Sequence, residues 1–168
     1  MILGELQNPG RLYFPADCDE CADRWGANCG PAALAAIAKR NVQAIRGVVS
    51  AVGFEKRQYM NPTHMQAALK LMSIPFASSR AWPNRGLVFI QWGGPWLKPG
   101  VPIGAAYRHT HWIAVDGMYV FDVNASHLRK WITRDSWGTV SGLAEWIMKH
   151  IPRCDGTWSV RSVIAIPE

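Results

Sequence analysis

A chain of 168 residues, 49% of them hydrophobic, has the length of one domain and enough apolar side chains to fill a core. Its 18 lysines and arginines outnumber 12 acidic residues and leave a net charge of +6, but the basic residues are scattered, which favours a solvated surface over a nucleic-acid site. No apolar run reaches the length of a membrane span, and Met1–Leu6 lacks the basic region and long apolar core of a signal peptide, so a cytoplasmic protein is expected. In that compartment the four cysteines are expected as thiols. Nine tryptophans are many for this length and suit both core packing and the lining of a substrate groove.

The first segment, residues 1–24, is rich in Pro, Gly and Asp and is expected to wrap the surface before a helical half spanning residues 25–76. It holds the pair Cys18-Asp19-Glu20-Cys21, read as local surface thiols. A zinc site is the lesser reading, because no second pair stands at a suitable spacing and Cys154, His109 or His127 would have to complete it; a redox pair is another. Next comes Cys29-Gly30-Pro31 and an alanine-rich run. Pro31 has no N–H to lose at a first helical position, so the spacing predicts a helix over about 31–40 with Cys29 at its start. Unpaired N–H groups and the positive end of the helix dipole would there favour a thiolate. The plainer reading is a small buried residue at a loop–helix junction.

Asn41 is placed to cap a second helix through Val42, Ile45, Val48, Val49 and Val52, ending at Gly53. Asn61-Pro62 opens a third through Met65, Ala68, Leu69 and Met72, stopping before Pro75, with His64 as a surface or capping residue in its first turn.

The period changes in residues 85–168. Leu87–Trp92 has the length and composition of a strand, and Val101–Tyr107 is a second strand candidate with Pro102 at an edge or start. His111–Asp122 reads as a hairpin turning at Asp116-Gly117, which sets Val115 opposite Met118, Ile113 opposite Val120 and His111 opposite Asp122. An amphipathic helix is expected within 138–150, and Trp158–Ile166 is expected to close an antiparallel sheet. Helices first and an antiparallel sheet second make an α+β domain.

A cysteine at a helix start with a histidine–aspartate pair on a hairpin is a Cys29–His111–Asp122 constellation suited to nucleophilic catalysis. His109, two residues away, would share the face of His111 and is a rival base; His109, His111 and Asp122 are also a conceivable metal trio, though that leaves Cys29 unexplained. Asn124 is a rival orienting residue. No metal and no cofactor is assigned.

Asn28-Cys29-Gly30-Pro31-Ala32-Ala33-Leu34-Ala35, followed by His111-Trp112-Ile113-Ala114-Val115, a turn, and Val120-Phe121-Asp122-Val123-Asn124, resembles the papain-like cysteine peptidases, and within them the bacteriocin-processing, double-glycine-cleaving branch. The resemblance implies a helical half carrying the nucleophile, packed on a sheet half, with the active site in the cleft between them. It makes Cys29 the nucleophile, His111 the general base and Asp122 the residue orienting it. Enzymes of that family usually carry a glutamine six residues before the cysteine as an oxyanion donor, but Asp23 stands here and its carboxylate repels an oxyanion. The Cys29 N–H remains, with Asn28 or Trp25 as side-chain candidates. The function implied is hydrolysis of a peptide or isopeptide bond in a peptide or protein substrate through a thioester. A transferase on the same residues and a papain-like binding module without turnover are the alternatives. Asp135-Ser136-Trp137-Gly138 is similar to the Asn-Ser-Trp-Gly of papain but lies beyond the hairpin with Asp for Asn, and reads as a coincidence in a turn before a helix.

Overall fold

The computed structural model describes residues 12–168; the first eleven residues, with the Met1–Leu6 stretch and the start of the expected surface segment, lie outside the described residues. The first helix of the described residues is α1 (Cys18–Trp25), in a segment expected to wrap the surface. Cys18, Cys21 and Trp25 recur three and four residues apart, so all three fall on one face and are buried by it. Gly26 ends the helix at φ 75°, a left-handed conformation that glycine adopts without penalty, and its N–H returns to the Ala22 carbonyl at 3.0 Å.

Helix α2 (Cys29–Ile37) follows, starting two residues before Pro31. Asn28 caps it, its side chain accepting from the Gly30 N–H at 3.3 Å. Every residue from Gly30 to Ile37 is buried, so the helix is apolar all round and lies between the sheet and the other helices. The expected second helix is a 3-10 turn (Gln43–Ile45) running into α3 (Arg46–Ala51), then Gly53 and the single turn α4 (Phe54–Arg57). Its cap comes from far back in the chain: the Asp17 carboxylate accepts from the N–H groups of Val42 and Gln43, both at 2.9 Å, while the Asn41 side chain accepts from the Tyr13 hydroxyl. Helix α5 (Pro62–Leu71) has the expected Asn61 cap, and His64 closes a capping box by accepting from the Asn61 N–H.

The second half contributes β1 (Ala77–Ser79), β2 (Arg85–Trp92), α6 (Ile103–Tyr107), β3 (Thr110–Asp116), β4 (Tyr119–Phe121), β5 (Ile132–Thr133), α7 (Arg134–Gly138), α8 (Leu143–Lys149) and β6 (Trp158–Ala165). The six strands form one antiparallel sheet in the order β1-β6-β2-β3-β4-β5. Val101–Tyr107 is therefore not a strand: α6 occupies its last five residues, with Pro102 immediately before the first helical residue. β6 joins the antiparallel sheet as expected, paired between β1 and β2.

Alternation along the strands divides the core. Leu87, Phe89, Trp112, Ala114, Phe121 and Ile164 face the helices of the first half. Val88, Ile90, Ile113, Val115, Val120 and Val163 face the other way, against Trp137 and the Ala144, Ile147 and Met148 side of α8. Each large side chain so buried contributes roughly 1.5–3 kcal/mol. This is an α+β architecture, with α2 lying along β3. No helix among the described residues is long and apolar enough to cross a membrane.

Candidate active site

The hairpin turns one residue later than the Asp-Gly pair suggests. Asp116 pairs with Tyr119, so the loop is Gly117-Met118, with Gly117 at φ 60° in the first turn position, where a type II′ loop takes glycine. Val115 accordingly faces Val120, a two-residue displacement from the expected pairing. Because side chains alternate with period two, that displacement leaves every residue on its expected face. His111 is therefore not directly opposite Asp122 but one diagonal step away on the same face. β4 stops at Phe121, so His111 has a strand neighbour, Ile90, on one side only.

Across that gap His111 Nε2 donates to Asp122 Oδ1 at 2.8 Å, and both side chains are buried. Asp122 holds an extended conformation at the end of β4 and caps a 3-10 segment (Val123–Leu128), its Oδ1 accepting from the Asn124 N–H at 2.9 Å. Its Oδ2 accepts from the Trp137 indole N–H at 2.8 Å. Burial pushes the carboxyl up, but His111 and the N–H donors of Trp137 and Asn124 outweigh it and hold Asp122 below the usual carboxylate range. Burial likewise disfavours the charged imidazole; Asp122 first, and then Cys29 beside it, reverse the sign and raise His111 to about 10. With Nε2 committed to Asp122, Nδ1 is the ring nitrogen left for the hydrogen bond with Cys29.

Cys29 is half-buried at the first position of α2, where an N–H has no partner within the helix. It opens on a cleft of about 520 Å³ floored by Met60, Phe89 and Trp112, with Tyr59 and Tyr107 facing each other 6.0 Å apart. The Trp112 indole N–H donates to the Met60 carbonyl at 2.7 Å, tying the segment before α5 to the strand that carries His111. A thiol at a helix start, an imidazole held protonated by a buried carboxylate, and an open cleft can together form and break an acyl thioester.

Of the remaining sequence candidates, only Asn28 lines the cleft. Asp23 is exposed on α1 and does not line the cleft. Trp25 is buried and its indole N–H is spent on Gln43 Oε1 at 3.2 Å. Asn28 does line the cleft, and one of its amide protons goes to the Gln58 carbonyl at 2.7 Å, leaving the other. The Asn124 side chain is exposed; only its backbone N–H serves Asp122. His109 precedes β3 and stacks on Trp96 with ring centres 3.5 Å apart, so it is not gathered with His111 and Asp122 around one point.

Cys18 and Cys21 are buried, not surface thiols. Cys18 donates to the Pro15 carbonyl at 3.1 Å and Cys21 approaches Asp17 Oδ2 at 3.5 Å. Among the described residues no three His, Cys, Asp or Glu side chains are grouped to hold a metal ion, and neither Cys154 nor His127 joins the pair.

Trp137, read from the sequence as part of a coincidental turn, is a partner of the Asp122 carboxylate. Its signal was present in Ser136-Trp137-Gly138, set aside because the segment lies beyond the hairpin; the fold of α7 onto β4 brings it back. Gln58, Tyr59, Arg57 and Arg108 in the cleft wall carried no motif at all. No family model, curated protein or solved structure matches this chain.

Proposed function

We propose that the protein is a papain-like thiol hydrolase that cleaves a peptide or isopeptide bond with Cys29 as nucleophile, His111 as proton carrier and Asp122 as its orienting carboxylate. The observation that carries the reading is the 2.8 Å bond from His111 Nε2 to a buried Asp122, with Cys29 bonded to the same imidazole. In the reaction, the Cys29 thiolate attacks the substrate carbonyl carbon and forms a C–S bond, moving an electron pair onto oxygen. The oxyanion takes a hydrogen bond from the Cys29 N–H, with the free amide proton of Asn28 as the nearest side-chain candidate. Collapse breaks the C–N bond as His111 gives its proton to the leaving amine. A water then attacks the thioester, passes a proton to His111, and the C–S bond breaks to release the acid and restore the ion pair.

Asp23 stands where the resemblance implies a glutamine donating to the oxyanion, and that missing donor favours one further reading: a papain-like module that binds peptides without turnover. One experiment separates the two. Iodoacetamide labelling at about pH 6, where an ordinary thiol of pKa near 8.5 is almost wholly protonated, is mapped by peptide mass. Fast labelling confined to Cys29 and slowed by His111→Ala is the expected result for the hydrolase. Slow labelling spread over the accessible cysteines excludes an activated thiolate and leaves the binding module.

A further inference from the structure

The cleft that opens on Cys29 is walled by two arginines and by no carboxylate. Arg57 ends α4 and Arg108 follows α6, each close in sequence to one of the facing tyrosines, Tyr59 and Tyr107. Among the described residues neither arginine pairs with an acidic side chain, although Arg24, Arg46 and Arg85 each do. One nitrogen of the Arg57 fork lies against His64 Nε2, which leaves its other N–H groups for a ligand. A third guanidinium, Arg161, lies 4.6 Å from the centre of the Tyr107 ring, held there by a 2.7 Å bond to Gln91 Oε1.

Burial lowers His64, and Arg57 lowers it further; burial lowers His109, and Arg153 and Arg108 add to the effect. Solvent-exposed cations at a low-dielectric concave wall focus a positive potential into it. A guanidinium fork matches a carboxylate in two parallel hydrogen bonds.

Building on the hydrolase reading, we propose that the substrate carries a carboxylate close to the bond that is cleaved, bound by Arg57 and Arg108 at the mouth of the Cys29 cleft. In a peptide that group is an acidic side chain or the free C-terminus.

Two matched pairs of alkylating probes test this on the intact protein: iodoacetyl-glutamate amide against iodoacetyl-glutamine amide, and iodoacetyl-glycine against iodoacetyl-glycinamide. The rate at which each modifies Cys29 is read by mass spectrometry. The carboxylate member of at least one pair is expected to react about fivefold faster than its amide partner, the scale of one or two exposed ion pairs, and the ratio is expected to fall with added salt. Preference within the first pair identifies a side-chain carboxylate, and within the second a C-terminal one. Arg57→Gln and Arg108→Gln are each expected to halve the preference or more, and Arg108→Glu to abolish it. His111 attracts anions in every variant, so only the change on arginine replacement is scored. Ratios near one, or ratios that both glutamine variants leave unchanged, overturn the proposal. The hydrolase reading is judged separately by the absolute rate of the amide probes, because the ratio can be measured whether Cys29 reacts quickly or slowly.

Discussion

The Trp137 indole N–H donates to Asp122 Oδ2 at 2.8 Å, which occupies the carboxylate oxygen that His111 does not use. Both carboxylate oxygens thereby have partners while buried, and the orientation of the group is fixed from the α8 side of the sheet as well as from the hairpin. Trp137→Phe keeps a ring against Trp158 but removes the donor. Leaving a buried charged oxygen unsatisfied is expected to cost about 1–3 kcal/mol, with an added loss for the smaller ring. Urea denaturation measures the sum, and repeating it in an Asp122→Asn background isolates the hydrogen bond, since the donor should then matter less. Equal losses in both backgrounds would show that Trp137 only fills space.

The pH dependence follows from the raised imidazole. His111 stands at about 10 against an ordinary 6.5, so its contribution to stability is fully present below 6.5 and is lost as pH rises towards 10. Cys29 alkylation and peptide cleavage are therefore expected to keep the imidazolium-dependent rate well past neutrality, with an alkaline limb near 10. Asp122→Asn removes the nearer anion and is expected to bring that limb down towards neutral pH. Rate profiles of the two proteins that coincide would sink the assignment of Asp122 as the group holding the proton.

Much of the site was legible because its parts are local. Cys29-Gly30-Pro31 and the alanine run dictate a helix start, and strand alternation about a two-residue loop puts His111 and Asp122 on one face even when the loop is placed one residue off. The parts that were not legible depend on distant segments. Nothing near Val42 says that its N–H will be capped by Asp17, and nothing in Cys18-Asp19-Glu20-Cys21 says that the helix face holding both sulfurs will be covered. Val101–Tyr107 has strand composition over too short a span, and tertiary placement turns its last five residues into a helical turn. Asp23 and Trp25 stand close to Cys29 in sequence, yet α1 and the turn at Gly26 carry them away from the cleft.

The buried cysteine pair is expected to be chemically silent. Burial first, then the neighbouring carboxylates of Asp17 and Asp19, push Cys18 up to about 12, and burial and Asp17 raise Cys21 as well. Thiol titration of the native protein at pH 7 is expected to exclude both, with Cys29 reacting, and to find all four cysteines only after denaturation. Addition of a chelator is expected to leave the melting temperature unchanged. A drop on chelation would reopen the zinc reading of this pair.

Asp17 is expected to matter for stability without touching the chemistry. Its two carboxylate oxygens each accept a backbone N–H, from Val42 and Gln43, and thereby tie the start of α1 to the turn that leads into α3. Cys21 hangs on the same carboxylate, so the residue joins the first helix, its buried sulfur and the segment after α2 at one point. Asp17→Ala strands both N–H groups and is expected to cost about 2 kcal/mol, the scale of a lost helix cap. Asp17→Asn keeps one acceptor and should lose about half as much. Because Asp17 lies outside the Cys29 cleft, the alkylation rate of Cys29 in the folded fraction is expected to hold while the urea midpoint falls. A loss of Cys29 reactivity at unchanged stability would mean that α1 positions the site directly, through the short link from Gly26 to Asn28.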